Sequence, residues 1–368
     1  MDLTAASASE MVATALFALA VLHTFSVSLF QRYAARYPQG SIGENFFHLL
    51  GEVEIAFGLW AGALVAYLAV FIEPQAAIEY LESRNFTEPL FVFVVMVIAA
   101  TRPIIVLVHR AIAFAARILP LPSDMAFYAA ALTLGPLLGS VITEPAAMTV
   151  TALVLKDRFF QRDVSPTAKY VTLGVLFVNV SIGGVLTHFA APPVLMVAQT
   201  WHWDSLYMVT HFGWKAALAV LLNTILAIAL CRRDLTKDNT AATADATLGV
   251  APIWLMALHV LFLGLVVLTS HYSAVFLGLF LFFLGLTAIT QEYQDDLKLR
   301  EGLLVAFFLG GLVVLGGMQE WWLAPTIRAL DAAPLFIGSV ALTAIIDNAA
   351  LTYLGSQVEG IADAPIGN

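Results

Sequence analysis

Two short stretches of this sequence each place one carboxylate beside small residues and a threonine inside an apolar run. Residues 143–149 read TEPAAMT, and residues 347–352 read DNAALT. Aligned on Glu144 and Asp347, both continue with a helix-disturbing residue, two alanines, a long apolar residue and a threonine. A charged side chain in apolar surroundings is costly unless it is paired or coordinates an ion. The repeat therefore predicts ion chemistry at Glu144 and Asp347.

The side chains near these acids offer neutral oxygen atoms, which hard cations prefer as ligands. On the two stretches and on a third at residues 179–188, these donors are Thr143, Thr149, Asn348, Thr352, Asn179, Ser181 and Thr187. Desolvation favours the protonated form of a buried carboxylate, and a bound cation favours the ionised form. Each acid can hold a proton or a cation, and this competition predicts the exchange of a monovalent cation for H+.

The composition indicates a membrane protein. Of 368 residues, 60% are hydrophobic and 12% are charged, whereas a soluble domain carries about 25% charged residues. Apolar runs of about 20 residues recur along the chain, which predicts an all-α polytopic membrane protein in a lipid bilayer. The net charge of -9 is spread over loops without a basic patch, so no nucleic-acid partner is expected.

The chain divides into two halves around a polar linker. The first half covers residues 1–233, the linker 234–247 is rich in Asp, Lys, Asn, Thr and Ala, and the second half covers 248–368. In the first half, Glu144-Pro145 breaks an apolar run into a hairpin over 125–155, and paired glycines and prolines predict an interrupted helix over 170–200. In the second half, a hairpin is predicted over 334–358.

Positive charge predicts that the two hairpins enter the membrane from opposite sides. Arg117 precedes the first hairpin, and Lys156, Arg158 and Arg162 follow it, so both of its ends are expected on the cytoplasmic side. No lysine or arginine follows the second hairpin. We therefore expect two re-entrant hairpins of opposite orientation, which is typical of an inverted-repeat transporter.

Three further residues are candidates for a proton path. His48 and Glu52 lie at i+4 and i+8 from Glu44, which predicts one helical face for all three. A hydrogen-bonded structural pair, or the entry of a helix at the membrane interface, is an equal alternative. His188 lies closest in sequence to the predicted ion site. The histidines lack metal-site spacing, Cys231 is the single cysteine, and no nucleophile–base pair is recognisable, so we expect neither an enzyme nor a cofactor.

The motifs resemble the ion transporter superfamily of arsenite, dicarboxylate and sodium/proton carriers. Residues 179–187 (NVSIGGVLT) followed by Pro192-Pro193 are similar to its interrupted helix, and 304–312 (LVAFFLGGL) to its span before the second hairpin. The two acid-bearing motifs are most similar to a bacterial family of sodium/proton antiporters, and the likeness runs from residue 44 onward. It implies an inverted-repeat carrier of Na+ and H+ in the bacterial inner membrane, acting as a homodimer.

Two departures from the superfamily bear on function. Dicarboxylate carriers bear neutral Ser-Asn-Thr tips, whereas Glu144 and Asp347 favour a cation as the substrate. A sodium-coupled anion or organic-acid carrier and a non-transporting membrane subunit remain as alternatives. The superfamily fold also implies an interrupted helix after each hairpin, and the residues after Thr352 are too few for a span with its loop. We therefore expect the C-terminal interrupted helix to be missing.

Overall fold

The computed structural model describes residues 7–162, 164–236, 250–344 and 346–358, and every regular element among them is helical. Most of the predicted linker 234–247 lies outside the described residues. The α-helices of the described residues are α1 (Ala8–Phe25), α2 (Val27–Ala34), α3 (Ile42–Leu50), α4 (Ile55–Tyr67), α5 (Pro74–Glu82), α6 (Thr87–Ala99), α7 (Arg102–Ile118), α8 (Ser123–Ile142), α9 (Glu144–Leu155), α10 (Pro166–Gly183), α11 (Pro192–Ala198), α12 (Ser205–Met208), α13 (Trp214–Leu235), α14 (Ile253–Leu268), α15 (Ser273–Ile289), α16 (Leu299–Gly316), α17 (Glu320–Arg328), α18 (Ala332–Thr343) and α19 (Asn348–Ser356).

Several helices are long and apolar enough to cross a membrane, which confirms an all-α polytopic membrane protein. Within the described part of the chain there are six such segments, or seven if one bent pair counts as a single span. They are Ala8–Phe25, Ile55–Ile72, Ser123–Ile142, Pro166–Leu186, Ser205–Leu235 and Leu299–Gly316, with α6 and α7 as the bent pair.

The bend between α6 and α7 measures 68° and follows from a proline. Pro103 is the second residue of α7 and lacks the N–H that a continuous helix would need there. Arg102, the first residue of α7, donates to the Gln294 carbonyl at 2.8 Å and forms an ion pair with Asp295. The Arg102 guanidinium holds the pKa of the Asp295 carboxyl below its usual range.

The prediction that Glu44, His48 and Glu52 share one helical face is wrong for Glu52. Helix α3 ends at Leu50, and Gly51 caps it by donating its N–H to Phe47 and His48. Glu52 therefore lies in the turn before α4 and not one turn further along the helix. Helices often end at a glycine, because ordering glycine inside a helix costs more conformational entropy than ordering another residue.

Contacts group the chain into two compact units, which we describe separately. The terminal unit comprises the residues up to Phe93 and those from Arg300 onward, and the central unit is Val94–Leu299. Glu144 belongs to the central unit and Asp347 to the terminal unit. The predicted halves, 1–233 and 248–368, divide the chain by repeated motifs instead of by contacts, and they stay a prediction.

In the central unit, α8 and α9 form an antiparallel helical hairpin around Thr143. Residues that are equally far from Thr143 in sequence pack against each other. A methyl group added to Gly139 would lie 3.1 Å from the Cβ of Ala147, and Gly135 packs directly on Thr151. At the far end Asp124 accepts from Arg162. At 20 residues α8 is about 30 Å long. The hairpin predicted over 125–155 thus corresponds to α8 and α9, and α8 is long enough by itself to cross a membrane.

Pro136 leaves one carbonyl of α8 without its helical partner, and two side chains replace that partner. A proline lacks the N–H that would donate to the carbonyl four residues earlier, which is that of Leu132. Asn179 of α10 donates to this carbonyl at 2.8 Å, and Thr224 of α13 donates at 3.2 Å. Asn223 in turn donates to the Asn179 Oδ1 at 3.0 Å. This network joins α8, α10 and α13.

In the terminal unit, side chains from two other helices hold the carbonyl end of α16. Tyr80 of α5 donates to the carbonyl of Val314, and Tyr353 of α19 donates to that of Val313 at 3.4 Å. The last carbonyls of a helix have no intrahelical partner, and the Tyr80 phenol provides a donor for that of Val314. The Val313 carbonyl also accepts from the N–H of Gly317 at 3.1 Å, so Tyr353 is its second donor. Through Tyr353, α19 is fixed against α16.

We predict that the cost of removing the Asn179 amide depends on Pro136. Asn179→Leu leaves the Leu132 carbonyl with fewer donors and should lower stability by about 1–3 kcal/mol. Pro136→Ala restores a backbone N–H for the same carbonyl, so the double variant should lose less than the single variant. Thermal unfolding of the four proteins in detergent measures the coupling. Strict additivity of the two shifts would contradict this account of Asn179.

Candidate functional site

Thr143, the single residue between α8 and α9, has a strained backbone. Its φ of 72° and ψ of 154° lie in a region that is almost restricted to glycine. For a β-branched residue this conformation is a genuine outlier, and such strain costs about 1–3 kcal/mol. Its side chain is 4% exposed, and its hydroxyl has no hydrogen-bond partner among the described residues. Strain and an unsatisfied buried oxygen therefore coincide at the tip of the hairpin.

Glu144 begins α9, and its carboxylate lies against the end of α10. A methyl group added to Gly184, which follows the last residue of α10, would lie 2.7 Å from the Glu144 Oε1. The start of α9 carries about half a positive charge, and the end of α10 about half a negative charge. The Glu144 carboxylate thus lies between a helix start that favours negative charge and a helix end that favours positive charge.

Ser140 fixes the hairpin to the break that follows α10. Its hydroxyl donates to the carbonyl of Gly183 at 2.6 Å and accepts from the N–H of Leu186 at 3.0 Å. Its own carbonyl accepts from the hydroxyl of Thr187 at 2.6 Å. Ser140 is absent from the predicted site residues, although a small polar residue one helical turn before Glu144 in an apolar run is a usable signal.

The remaining predicted ligands of the central unit occupy three different environments. Asn179 is fully buried and holds the Leu132 carbonyl, away from the tip. Thr187 is half-buried and lies beside Ser140, so it belongs to the tip region. Ser181 is exposed on α10. Thr149 is exposed on α9, and its hydroxyl donates back to the Pro145 carbonyl at 2.9 Å.

The second tip, in the terminal unit, is built differently. Asp347 caps α19: its Oδ1 accepts from the N–H groups of Ala349 at 2.8 Å and Ala350 at 3.2 Å. Asn348 is the first residue of α19, and the hydroxyl of Thr352 donates to the Asn348 carbonyl at 3.0 Å. Asp347 is therefore the cap of its helix, whereas Glu144 is the first residue inside its helix. Both Asp347 and Asn348 are exposed.

The two tips are described in separate units, and their approach to a common ion site stays a prediction. Within the central unit, Thr143, Glu144 and Thr187 are gathered around Ser140 and Gly184. Within the terminal unit, Asp347, Asn348 and Thr352 share the first turns of α19.

The candidates for a proton path lie at three places. His48 is 3.6 Å from Glu44, one turn earlier on α3, and the His48 side chain is more than half exposed. Glu52 accepts from Arg300 at 2.9 Å, so it joins two segments of the terminal unit. His188 follows Thr187 directly, and its Nδ1 lies 2.9 Å from the Ser205 hydroxyl. Of the three, His188 is next to a residue of the Glu144 tip.

The described residues contain no group of three or more His, Cys, Asp or Glu side chains that could hold a metal ion. Comparison with known families then identifies the chain. A family model described as "Putative Na+/H+ antiporter" matches residues 8–365. The chain belongs to this family. The search among curated proteins found no match.

Membership in the antiporter family confirms the family that the acid-bearing motifs predicted. It indicates a multi-pass transporter that exchanges a cation for protons, and it assigns the chain to transporters instead of enzymes. The family match spans both tips, from before α1 to beyond α19. Both acids of the antiporter therefore fall inside the matched region.

We predict that Gly184→Ala impairs cation binding because its methyl group displaces the Glu144 carboxylate. Gly184 has φ -70° and ψ -11°, which alanine adopts without strain, so the effect comes from the contact alone. The KM for the cation should rise about tenfold, which corresponds to about 1.4 kcal/mol.

Gly174, on the same helix, provides the matched control for this prediction. Nothing lies within 4 Å of a methyl group added there, so Gly174→Ala should keep the KM of the unmodified protein. Cation-driven dequenching of a pH dye in everted vesicles measures both variants. Equal KM values for the two alanine variants would show that the Gly184 contact is irrelevant to the ion site.

Proposed function

We propose that this antiporter exchanges Na+ for H+ by competition at membrane-buried carboxylates, with Glu144 as the principal ligand in the central unit. The supporting observation is the tip itself. The Glu144 carboxylate lies against Gly184 at the end of α10, and the preceding residue, Thr143, carries a buried hydroxyl without a hydrogen-bond partner among the described residues. Hard cations prefer such oxygen ligands, and half-helix ends at the midplane of transporters coordinate Na+ and H+ in the same way.

The exchange follows from charge balance at Glu144. An ionised carboxylate in apolar surroundings is costly, and either a proton or a cation removes this cost. Binding of Na+ therefore favours loss of the proton, and binding of the proton favours release of Na+. The strain at Thr143 holds its hydroxyl at the tip. In this proposal Thr187 lies beside the ion, and Asn179 positions α10 without touching it.

Asp347 is the second exchanging carboxylate in this proposal, with Asn348 and Thr352 as its neutral neighbours. The two hairpins re-enter the membrane from opposite faces, as inverted repeats do. The basic residues at the base of the first hairpin then lie at the cytoplasmic surface of the bacterial inner membrane. His188, next to Thr187, carries protons towards the first tip, and His48 and Glu52 belong to the terminal unit's proton path. The protein acts as a homodimer.

We predict that Glu144→Gln and Asp347→Asn each abolish Na+-driven proton movement. Both variants keep an acceptor oxygen and lose the charge that Na+ and H+ share. In everted vesicles, addition of Na+ should dequench a pH dye for the unmodified antiporter and leave it unchanged for both variants. If either variant still exchanges Na+ for H+, the carboxylate replaced in that variant does not belong to the ion site.

A control acid separates this prediction from a general charge effect. Glu82 is exposed at the end of α5, so Glu82→Gln should exchange Na+ like the unmodified protein. Uptake of a labelled dicarboxylate without Na+-driven proton movement would identify an anion carrier instead. A well-folded protein without either activity would identify a non-transporting subunit.

We predict that Thr143 contributes an oxygen ligand, which substitutions separate from its strain. Thr143→Ser keeps the hydroxyl and should keep the KM for Na+, whereas Thr143→Val keeps the shape and should raise the KM about tenfold. Thr143→Gly relieves the strain, because glycine adopts positive φ readily. This variant should unfold at a higher temperature and still show the raised KM. An unchanged KM in Thr143→Val would exclude the hydroxyl as a ligand.

A further inference from the structure

Glu88 is a buried carboxylate of the terminal unit that the proposed exchange does not use. It lies in the first turn of α6 and is 9% exposed. Its Oε1 accepts from the Asn85 side-chain amide at 3.1 Å. No ion pair among the described residues includes Glu88. A buried acid without a cationic partner in a membrane protein is costly and suggests a function.

The nearest cation in sequence is engaged elsewhere. Arg84 donates to the carbonyl of Gly317, just beyond α16, at 3.5 Å, and its guanidinium lies 5.0 Å from the centre of the Tyr80 ring. A methyl group on Gly317 would collide with Arg84 and lie 3.0 Å from the Tyr80 hydroxyl. The positive charge of Arg84 therefore serves the carbonyl end of α16, where cations are favoured, and does not pair with Glu88.

The charged and titratable groups that interact with one another around Tyr353 come from three segments of the terminal unit. Tyr80 belongs to α5, Arg84 to the segment before α6, and Tyr353 to α19. Tyr353 is buried and lies within electrostatic reach of Arg84, Tyr80 and Glu88. Tyr353 also lies on the helix that Asp347 caps. A change of charge at Glu88 therefore changes the electrostatic potential at α19, the helix that carries the second exchanging acid.

A capping role also fits Glu88, and it makes a different prediction. Asn85 accepts from the N–H of Thr87 at 3.0 Å and precedes Glu88 by three residues, which is the spacing of a capping box. A cap requires only an acceptor oxygen, which glutamine also provides. A proton-exchanging group requires a carboxyl, because a glutamine amide does not titrate. Replacement of Glu88 by glutamine thus separates the two roles.

We propose that Glu88 is a third proton-exchanging carboxylate of the antiporter, located in the same unit as Asp347. It releases its proton as Na+ binds and recovers it as Na+ leaves. The neutral Asn85 amide donates to the oxygen of either protonation state, so the contact persists through the cycle. This inference rests on the proposed Na+/H+ exchange and adds a titrating group to it.

The experiment measures how many protons Na+ displaces. In vesicles, the slope of log KM for Na+ against pH reports the protons that leave as Na+ binds, because the two ligands are linked. Glu88→Gln should reduce this slope by about one and leave the KM at alkaline pH within about twofold, where few carboxyls hold protons. Its unfolding temperature in detergent should stay that of the unmodified protein, since the cap is retained.

The outcomes separate this inference from the function on which it rests. A Glu88→Gln protein with the slope of the unmodified antiporter would refute the role of Glu88 alone. Absence of Na+-driven exchange in the unmodified protein would refute the proposed function and this role with it. If Glu88→Gln does not fold, Glu88→Asp keeps a carboxyl one methylene shorter. A displaced pH profile in Glu88→Asp but not in Glu82→Asp then supports the proposal, and superimposed profiles overturn it.

Discussion

The contact between the Glu144 carboxylate and the end of α10 is the constraint on which the central unit depends. An ionised carboxylate is stable away from water only if its charge is balanced. Two neighbouring residues, Gly184 and Ser140, allow the Glu144 carboxylate to lie at this helix end. Gly184 has no side chain, so the carboxylate approaches the backbone directly. Ser140 fixes the hairpin against the same break. Charges interact more strongly where the dielectric constant is low, so this contact becomes stronger the further water is kept from it.

This placement depends in turn on a backbone hydrogen bond that α8 lacks and that side chains of α10 and α13 replace. Pro136 and Gly183 touch, since a methyl group on Gly183 would lie 2.6 Å from the Pro136 carbonyl. The proline costs α8 one hydrogen bond, and Asn179 and Thr224 return donors to the Leu132 carbonyl. The hydrogen bond from Asn179 also holds α10 in register with α8. Asn179, which the sequence predicted as an ion ligand, thus links α10 to α8 and α13.

Local chemistry explains which features the sequence could predict. The turn at Glu144-Pro145 was predictable because proline and an acid in an apolar run are local signals, and the helix starts next to them. The role of Asn179 was not, because the carbonyl it serves belongs to a residue 47 positions away. Nor does any pattern of residue types report the positive φ of Thr143, since threonine seldom adopts it. The early end of α3 was missed because the spacing of Glu44, His48 and Glu52 suggested a longer helix than Gly51 allows.

The two acids that align in sequence are not equivalent in structure, and the difference of one methylene is part of the reason. The shorter side chain of Asp347 folds back onto the N–H groups that begin its own helix, as aspartate caps commonly do. Glutamate, placed one position later, reaches beyond its helix to the neighbouring backbone at Gly184. One carboxylate is therefore held by backbone donors and the other faces a helix end rich in acceptors.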